Sequence, residues 1–326
     1  MELEKSIRRI GRKVCFAHSA YHMHVKFEER KTGISSFQVR SVEELKEHLS
    51  EVDVVVISMM WRNELLRDAP NLKYIQSISS GTDHFDRGAL RERGIRLASA
   101  SGANANAVAE HAMALMLSLR RHVHTGRDNQ SAKLWRGMIS DLDSREDELA
   151  GKTLLVVGYG RIGSRLGKIA KAFNMNVIAV KQDVSVGAES ADEVYDKSRL
   201  FELLPRADVV ALTCPLTSET ENLITASALR AMKPSAHLIN VARGKVVDEG
   251  ALIAALESRS LRAAGLDVTR EEPLPPESPL WRLPNVLITP HTAAETCAYE
   301  DNVIDILIEN LSRLGRGEQT LRNQVV

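Results

Sequence analysis

Three glycines in the run VVGYGRIG, Gly158, Gly160 and Gly163, stand between an apolar segment, Thr153 to Val157, and a helical pattern that continues through SRLGKIAKAF. A strand, a tight turn and a helix in that order suit a dinucleotide pyrophosphate. One glycine makes the turn, a second admits the backbone to the phosphates, and a third lets helix and strand pack closely. The helix start adds free amides and a positive dipole end. Glycine-rich turns also arise for structural reasons alone, and it is the flanking strand and helix that favour cofactor binding. An acidic residue ending the next strand normally takes the ribose 2′-hydroxyl and repels a 2′-phosphate. Here NVIAVKQD places Lys181 at that end, which favours NADP over NAD. The alternatives are a solvated Lys181 with no contact to cofactor, and Asp183 folding back to the ribose so that both cofactors are used.

Three further segments carry reactive side chains: LINVARGKVVDE with Arg243, AGLDVTREEPLP with Asp267 and Glu272, and NVLITPHTAAE with His291. Moving a hydride to or from a carbon that bears oxygen requires a proton to travel the other way. Histidine suits that task because its ordinary pKa lies near neutrality. A carboxylate beside the imidazole fixes its tautomer and stabilises the imidazolium, and a guanidinium binds a substrate carboxylate while polarising a carbonyl. Each residue also has a plainer reading: a loop cap for His291, a surface ion pair for Arg243, and Glu271 as the carboxylate that matters in place of Glu272.

Together with GYGRIG and PLTSET, these segments closely resemble, over nearly the whole chain, the D-isomer-specific 2-hydroxyacid dehydrogenase family, which includes glyoxylate/hydroxypyruvate reductases. The resemblance implies an NAD(P)-dependent enzyme that interconverts a small D-2-hydroxy acid and its 2-keto acid. It makes His291 the acid/base, Glu272 its partner, through the family's EP element with Pro273, and Arg243 the substrate clamp. It also implies cofactor contacts from Gly158, Tyr159, Gly160, Arg161, Ile162, Gly163 and Lys181, and from Cys214, Pro215, Thr220, Val241, Ala242, Asp267 and His291. Substrate contacts carry over to Ser80 and Gly81 in SISSGTDHFD, to Asn104 in NANAVAEH, and to Arg243. Phosphoglycerate dehydrogenases commonly carry arginine where this chain has Asn106, which speaks against a phosphorylated substrate. The rivals are a formate-type dehydrogenase, which would carry glutamine in place of Glu272, and a non-catalytic NAD(H)-sensing protein like the corepressors that share the fold.

The elements that must position these groups follow from hydrophobic periodicity. Strands are expected at Lys13 to Ala17, Asp53 to Met59, Tyr74 to Ser77 and Arg96 to Ala98. A second series is expected at Thr153 to Val157, Asn176 to Val180, Val209 to Leu212, His237 to Asn240, Ala263 to Leu266 and Val286 to Ile288. Alternation with charged, amphipathic stretches is the pattern of parallel sheets with crossover helices. Ser41 followed by Glu44 starts a helix with a capping box. The expected fold is α/β: a doubly wound, Rossmann-type sheet plus a smaller, discontinuous, flavodoxin-like domain. Residues 1–104 and 292–326 are assigned to the substrate domain and 105–291 to the dinucleotide domain, with the active site in the cleft between them. The end of the chain at Val326 predicts no additional C-terminal regulatory domain.

At 326 residues, with 44% hydrophobic and 26% charged content, the chain has enough apolar material for two cores. Lysine plus arginine equal aspartate plus glutamate at 43 each, so no global field favours nucleic acid or an acidic membrane. Met1 to Gly11 is charged and offers no apolar segment for secretion, and no run approaches the roughly 18 apolar residues of a membrane span. Cys15, Cys214 and Cys297 lack metal or redox spacing, which predicts a cytoplasmic protein. His18, His22 and His24 have no clear completing ligand, so no metal is expected. His111, inside the apolar stretch ANAVAEHAMALMLSL, is read as a hydrogen-bonded interior residue. By its composition that helix, Ala105 to Leu119, carries more apolar surface than one core needs, and a homodimer is expected to cover it.

Overall fold

Short β-branched runs become strands here because parallel sheets covered on both faces bury alternate side chains to either side. The computed structural model describes residues 13–326, and the charged stretch Met1 to Gly11 lies outside the described residues. The chain divides into two compact units, one running to Asn104 and resuming at Thr296–Val326, the other Ala105–Glu295.

In the first unit the strands are β1 (Lys13–Ala17), β2 (Ser35–Val39), β3 (Val54–Ile57), β4 (Tyr74–Ser77) and β5 (Arg96–Ala98). They form a parallel sheet in the order β2-β1-β3-β4-β5, the flavodoxin-like arrangement. Cys15, Ala17, Val55 and Ile57 face one core; Val14, Phe16, Val54 and Val56 face the other, which the helix Tyr299–Gly315 covers. Hydrophobic pattern did not reveal β2, whose SSFQV sequence is half-exposed along most of its length at the sheet edge. Ser41 caps the helix Val42–His48 by accepting from the Glu44 amide, and Glu44 reaches back to the amide of Arg40.

The second unit contains β6 (Thr153–Val157), β7 (Asn176–Val180), β8 (Glu193–Tyr195), β9 (Val209–Leu212), β10 (His237–Asn240), β11 (Ala263–Leu266) and β12 (Val286–Ile288). Their order, β12-β11-β10-β9-β6-β7-β8, is a Rossmann sheet extended by a seventh strand. The expected six strands are all present; β8 is a three-residue, half-buried edge strand that hydrophobic pattern alone does not announce. The order reverses between β6 and β9, so the loops leaving these two strands diverge and open a crevice at their carboxyl ends.

The helix Ala105–Arg120 does not expose the apolar surface expected of it. Val108, Ala112, Leu115, Met116 and Leu119 are buried in the core on one face of the sheet, while Asn106, Glu110 and Ala114 are exposed. Gly265 in β11 permits this close approach: a Cβ there would lie 3.1 Å from that of Leu115. The uncovered apolar surface lies further along, where Val123, Leu134, Trp135, Met138 and Leu142 are exposed, Trp135 at 98%. The helix Val123–Ser131 has no buried residue.

Candidate active site

Loops leaving the carboxyl ends of β6, β7, β9, β10, β11 and β12 carry the candidate groups of the second unit. At the reversal point Gly158 has φ +98°, and a Cβ on it would sit 2.5 Å from the backbone of Cys214. Any side chain would therefore force β6 and β9 apart. Thr213 fastens the turn by donating to the Gly158 carbonyl at 2.8 Å. A Cβ on Gly163 would lie 2.6 Å from that carbonyl, whereas Gly160, which caps the helix Arg161–Ala172, faces open space for at least 4 Å. The first amides of a helix, here those of Arg161, Ile162 and Gly163, have no intrahelical acceptor. An open cradle at the start of a helix, with its amides and dipole end turned to it, fits a pyrophosphate.

Other expected cofactor residues occupy distinct positions. The Tyr159 side chain is buried against Gly167 and donates to the Glu189 carbonyl at 2.9 Å, so only its main chain belongs to the turn. Thr220 closes the loop after β9 by donating to the Pro215 carbonyl at 2.7 Å. Cys214, Val241 and Ala242 are buried, and burial pushes the Cys214 thiol up to about 11. Lys181 follows β7 and donates to the Val186 carbonyl at 2.8 Å. Asp183 accepts from the amide and hydroxyl of Ser185 at 3.0 and 2.5 Å, turned into its own loop.

Arg243, Glu272 and His291 come from loops after β10, β11 and β12, and three devices hold these loops together. Buried Asn240 accepts from the Ala242 amide at 3.0 Å and donates to the Arg243 carbonyl at 3.1 Å, bending the chain that presents Arg243. A Cβ on Gly244 would lie 1.9 Å from the Thr269 carbonyl oxygen, so the Arg243 loop packs directly against the Glu272 loop. Asp267, 2% exposed, accepts from the Thr289 hydroxyl at 2.6 Å and from the amides of Thr292 and Ala293 at 3.0 and 3.1 Å. Because the Thr289 hydroxyl gives its hydrogen to Asp267, His111 Nε2 must donate to that oxygen, at 2.8 Å. His111 is thus a hydrogen-bonded helix residue bracing the loop that carries His291. Neither Gly244 nor Thr289 was singled out in the sequence, since both act through contacts distant along the chain.

His291 Nδ1 lies 2.8 Å from Glu272 Oε2, and Glu272 Oε1 accepts from the Thr269 amide at 3.1 Å. A carboxylate only accepts, so Nδ1 carries a proton and Nε2 is left for chemistry. The hydrogen bond to Glu272 raises the His291 pKa above its usual value, against burial and the nearby Arg243 charge. Burial pushes the Glu272 carboxyl up, but its bonds to His291 and Thr269 and the Arg243 charge together hold it below its ordinary value. His291 adopts φ +56°, and its amide reaches the Asp267 carbonyl at 2.8 Å. Non-glycine residues in this left-handed region concentrate where function over-determines the backbone. Both side chains remain partly open to solvent, at 45% for His291 and 38% for Glu272, leaving room for a reactant.

In the first unit Ser80 and Gly81 follow β4, and the Ser80 hydroxyl lies 3.4 Å from the side-chain oxygen of buried Asn104. His18 Nδ1 accepts from the amides of Ala20 and Tyr21, and His22 and His24 have other neighbours. Among the described residues no three His, Cys, Asp or Glu side chains gather as a metal site, and no helix is long and apolar enough to cross a membrane.

Residues 113–293 match the family model described as D-isomer specific 2-hydroxyacid dehydrogenase, NAD binding domain. The chain is 37% identical to a glyoxylate reductase of Pyrococcus furiosus over 87% of this chain and 86% of that protein. It is 36% identical to a D-3-phosphoglycerate dehydrogenase of Archaeoglobus fulgidus over 89% of this chain, spanning 53% of that relative. A solved structure of a protein from Thermus thermophilus superposes with a TM-score of 0.83 at 35% identity, covering 96% of this chain and 100% of the other.

The pair makes a pH-dependent contribution whose sign is fixed. A raised His291 pKa stabilises the fold below the unfolded value of 6.5, and this is lost as pH rises through the folded value. The depressed Glu272 pKa stabilises it above 4.5, and this is lost as pH falls through the folded value. The melting-temperature difference between wild type and Glu272→Gln is therefore expected to peak at about pH 5 to 6 and shrink on either side. NMR titration of the His291 ring should show a lower midpoint in the variant; an unchanged midpoint would mean that Glu272 does not stabilise the imidazolium.

Proposed function

The chain belongs to the D-isomer-specific 2-hydroxyacid dehydrogenase family and is a nicotinamide-dependent oxidoreductase of 2-hydroxy and 2-keto acids; on that premise we propose that Arg243, Glu272 and His291 are its catalytic set. The observation that carries this reading is the 2.8 Å contact between His291 Nδ1 and Glu272 Oε2, which leaves Nε2 on a partly open surface. A reduced nicotinamide, when bound, supplies the hydride that reaches the keto carbon. His291 Nε2–H gives its proton to the keto oxygen, Glu272 holds the ring and its charge, and Arg243 binds the substrate carboxylate. In oxidation the neutral Nε2 takes the hydroxyl proton. Residues Gly158 to Gly163 would hold the pyrophosphate, with Cys214, Pro215, Thr220, Val241, Ala242 and Asp267 lining the same carboxyl edge. Ser80, Gly81 and Asn104 would contact the substrate carboxylate.

The substrate class that fits is a small, unphosphorylated 2-keto acid. Identity to a glyoxylate reductase supports this, as does Asn106 in place of a phosphate-binding arginine. NADP is the preferred cofactor in this reading, because Lys181 sets a cation at the end of β7 while Asp183 is engaged with Ser185. A homodimer formed through the exposed Val123, Leu134, Trp135, Met138 and Leu142 accounts for an apolar surface that no core of the described residues covers. Two buried thiols, Cys15 and Cys214, and an unpaired Cys297 accord with a cytoplasmic setting.

Replacing His291 by alanine is expected to slow turnover of 2-keto acids by about 10²- to 10⁴-fold with cofactor affinity retained; near-normal turnover would remove it from the mechanism. For the cofactor, wild type should show a kcat/KM about tenfold higher with NADPH than with NADH, a charge-assisted contact less the cost of moving Lys181 off its carbonyl. Lys181→Asp should reverse the ratio, and equal use of both by wild type would refute the preference. Sedimentation equilibrium should give a dimer mass that falls to the monomer in Trp135→Ser/Met138→Ser; a concentration-independent wild-type monomer would dismiss the association.

A further inference from the structure

The opposite edge of the second unit's sheet holds a cavity of about 200 Å³ that the proposed catalysis does not use. It is built where the strands begin: Lys152 precedes β6, Asp208 precedes β9, His237 opens β10 and Arg262 precedes β11. At about 3.3 Å per residue, these strands separate it from the glycine turn by roughly 15 Å. Two of its walls are polar side chains at least nine-tenths buried, Arg120 at 4% exposure and His237 at 5%. Each has an unmet polar atom among the described residues, Arg120 Nε and His237 Nδ1. Buried polar atoms are nearly always hydrogen-bonded, so this pair calls for an occupant.

Charge indicates what kind. Of the carboxylates lining the cavity, Asp147 is taken by Arg120 and Lys152, Asp208 by Lys233 and the Thr153 amide, and Glu146 by Arg136. Two guanidiniums of the wall make no close ion pair among the described residues: Arg145 donates to the carbonyls of Ile139 and Ser140, and Arg262, whose charge also acts on the Asp141 carboxylate, donates to the carbonyl of Asp143. The wall as a whole is charge-balanced, Arg120, Arg145, Lys152 and Arg262 against Asp143, Glu146, Asp147 and Asp208, but three of those carboxylates are already held in ion pairs, so the guanidiniums outside these pairs are what an occupant would meet. Burial pushes the His237 pKa down to about 3, and the charges of Arg120 and Arg262 act in the same direction. The ring is neutral and offers hydrogen bonding without adding charge.

We propose that this cavity binds a small oxyanion, a phosphate or carboxylate group, held by Arg120 Nε, His237 and Arg262. Arg262 lies at the exposed rim, where its removal leaves the core intact. The test is calorimetric titration of the NADPH-saturated protein with inorganic phosphate and, separately, malonate, at ionic strength fixed with sodium chloride. Saturable binding to wild type, weakened about tenfold or more in Arg262→Gln while NADPH affinity is unchanged, is the expected result. The His237 ring nitrogens should shift in ¹⁵N NMR over the same concentration range. Tighter phosphate binding assigns a phosphate-bearing ligand, and tighter malonate binding a carboxylic acid; either supports the site. No saturable binding would leave the cavity to water or to the partner copy and overturn the proposal, as would equal affinity in Arg262→Gln or loss of binding on cofactor saturation.

Discussion

A single buried carboxylate organises the reactive edge of the second unit. Asp267 leaves β11 and accepts from a hydroxyl and two amides of the segment that leaves β12, so the loop carrying His291 is tied to the loop carrying Glu272. Burying a carboxylate is costly unless its lone pairs are met, and here the donors are fixed backbone and side-chain groups from the chain it must restrain. Removing Asp267 would free those donors and the geometry of His291 together. The His111–Thr289 bond braces the same segment from the helix Ala105–Arg120.

Around that tie, close packing supplies the remaining precision. At Gly158 and Gly244 a Cβ would overlap backbone of a neighbouring loop, so the turns after β6 and β10 are set by direct contact with other loops. Gly160 differs in kind: its missing side chain leaves open space. One motif therefore contains glycines with opposite purposes, some permitting protein to touch protein and one leaving room for a ligand.

The two ends of the sheet differ electrostatically. Helix amides and a histidine whose pKa is raised by its bond to Glu272 collect at the carboxyl edge, suited to phosphates and to proton transfer. At the amino edge basic side chains and carboxylates balance around a neutral, buried histidine. Parallel strands produce this separation, since all their beginnings lie at one edge and all their ends at the other.

Local sequence determined much of this protein. Most strands were legible because β-branched runs sit between turn residues, and the glycine turn was legible because strand, glycines and helix are contiguous. Arg243, Glu272 and His291 could be named as candidates from segment resemblance. Tertiary structure decided what depends on residues distant in the chain. It joined β2 and β8, which lack a strong hydrophobic signal, to sheet edges through backbone hydrogen bonds that any sequence can make. It chose Glu272 over Glu271 as the neighbour of His291, a choice that a one-residue shift in the loop would reverse. It buried the apolar face of the helix Ala105–Arg120 and left Trp135 and Met138 exposed, because burial depends on what packs opposite a side chain and not on its own hydrophobicity.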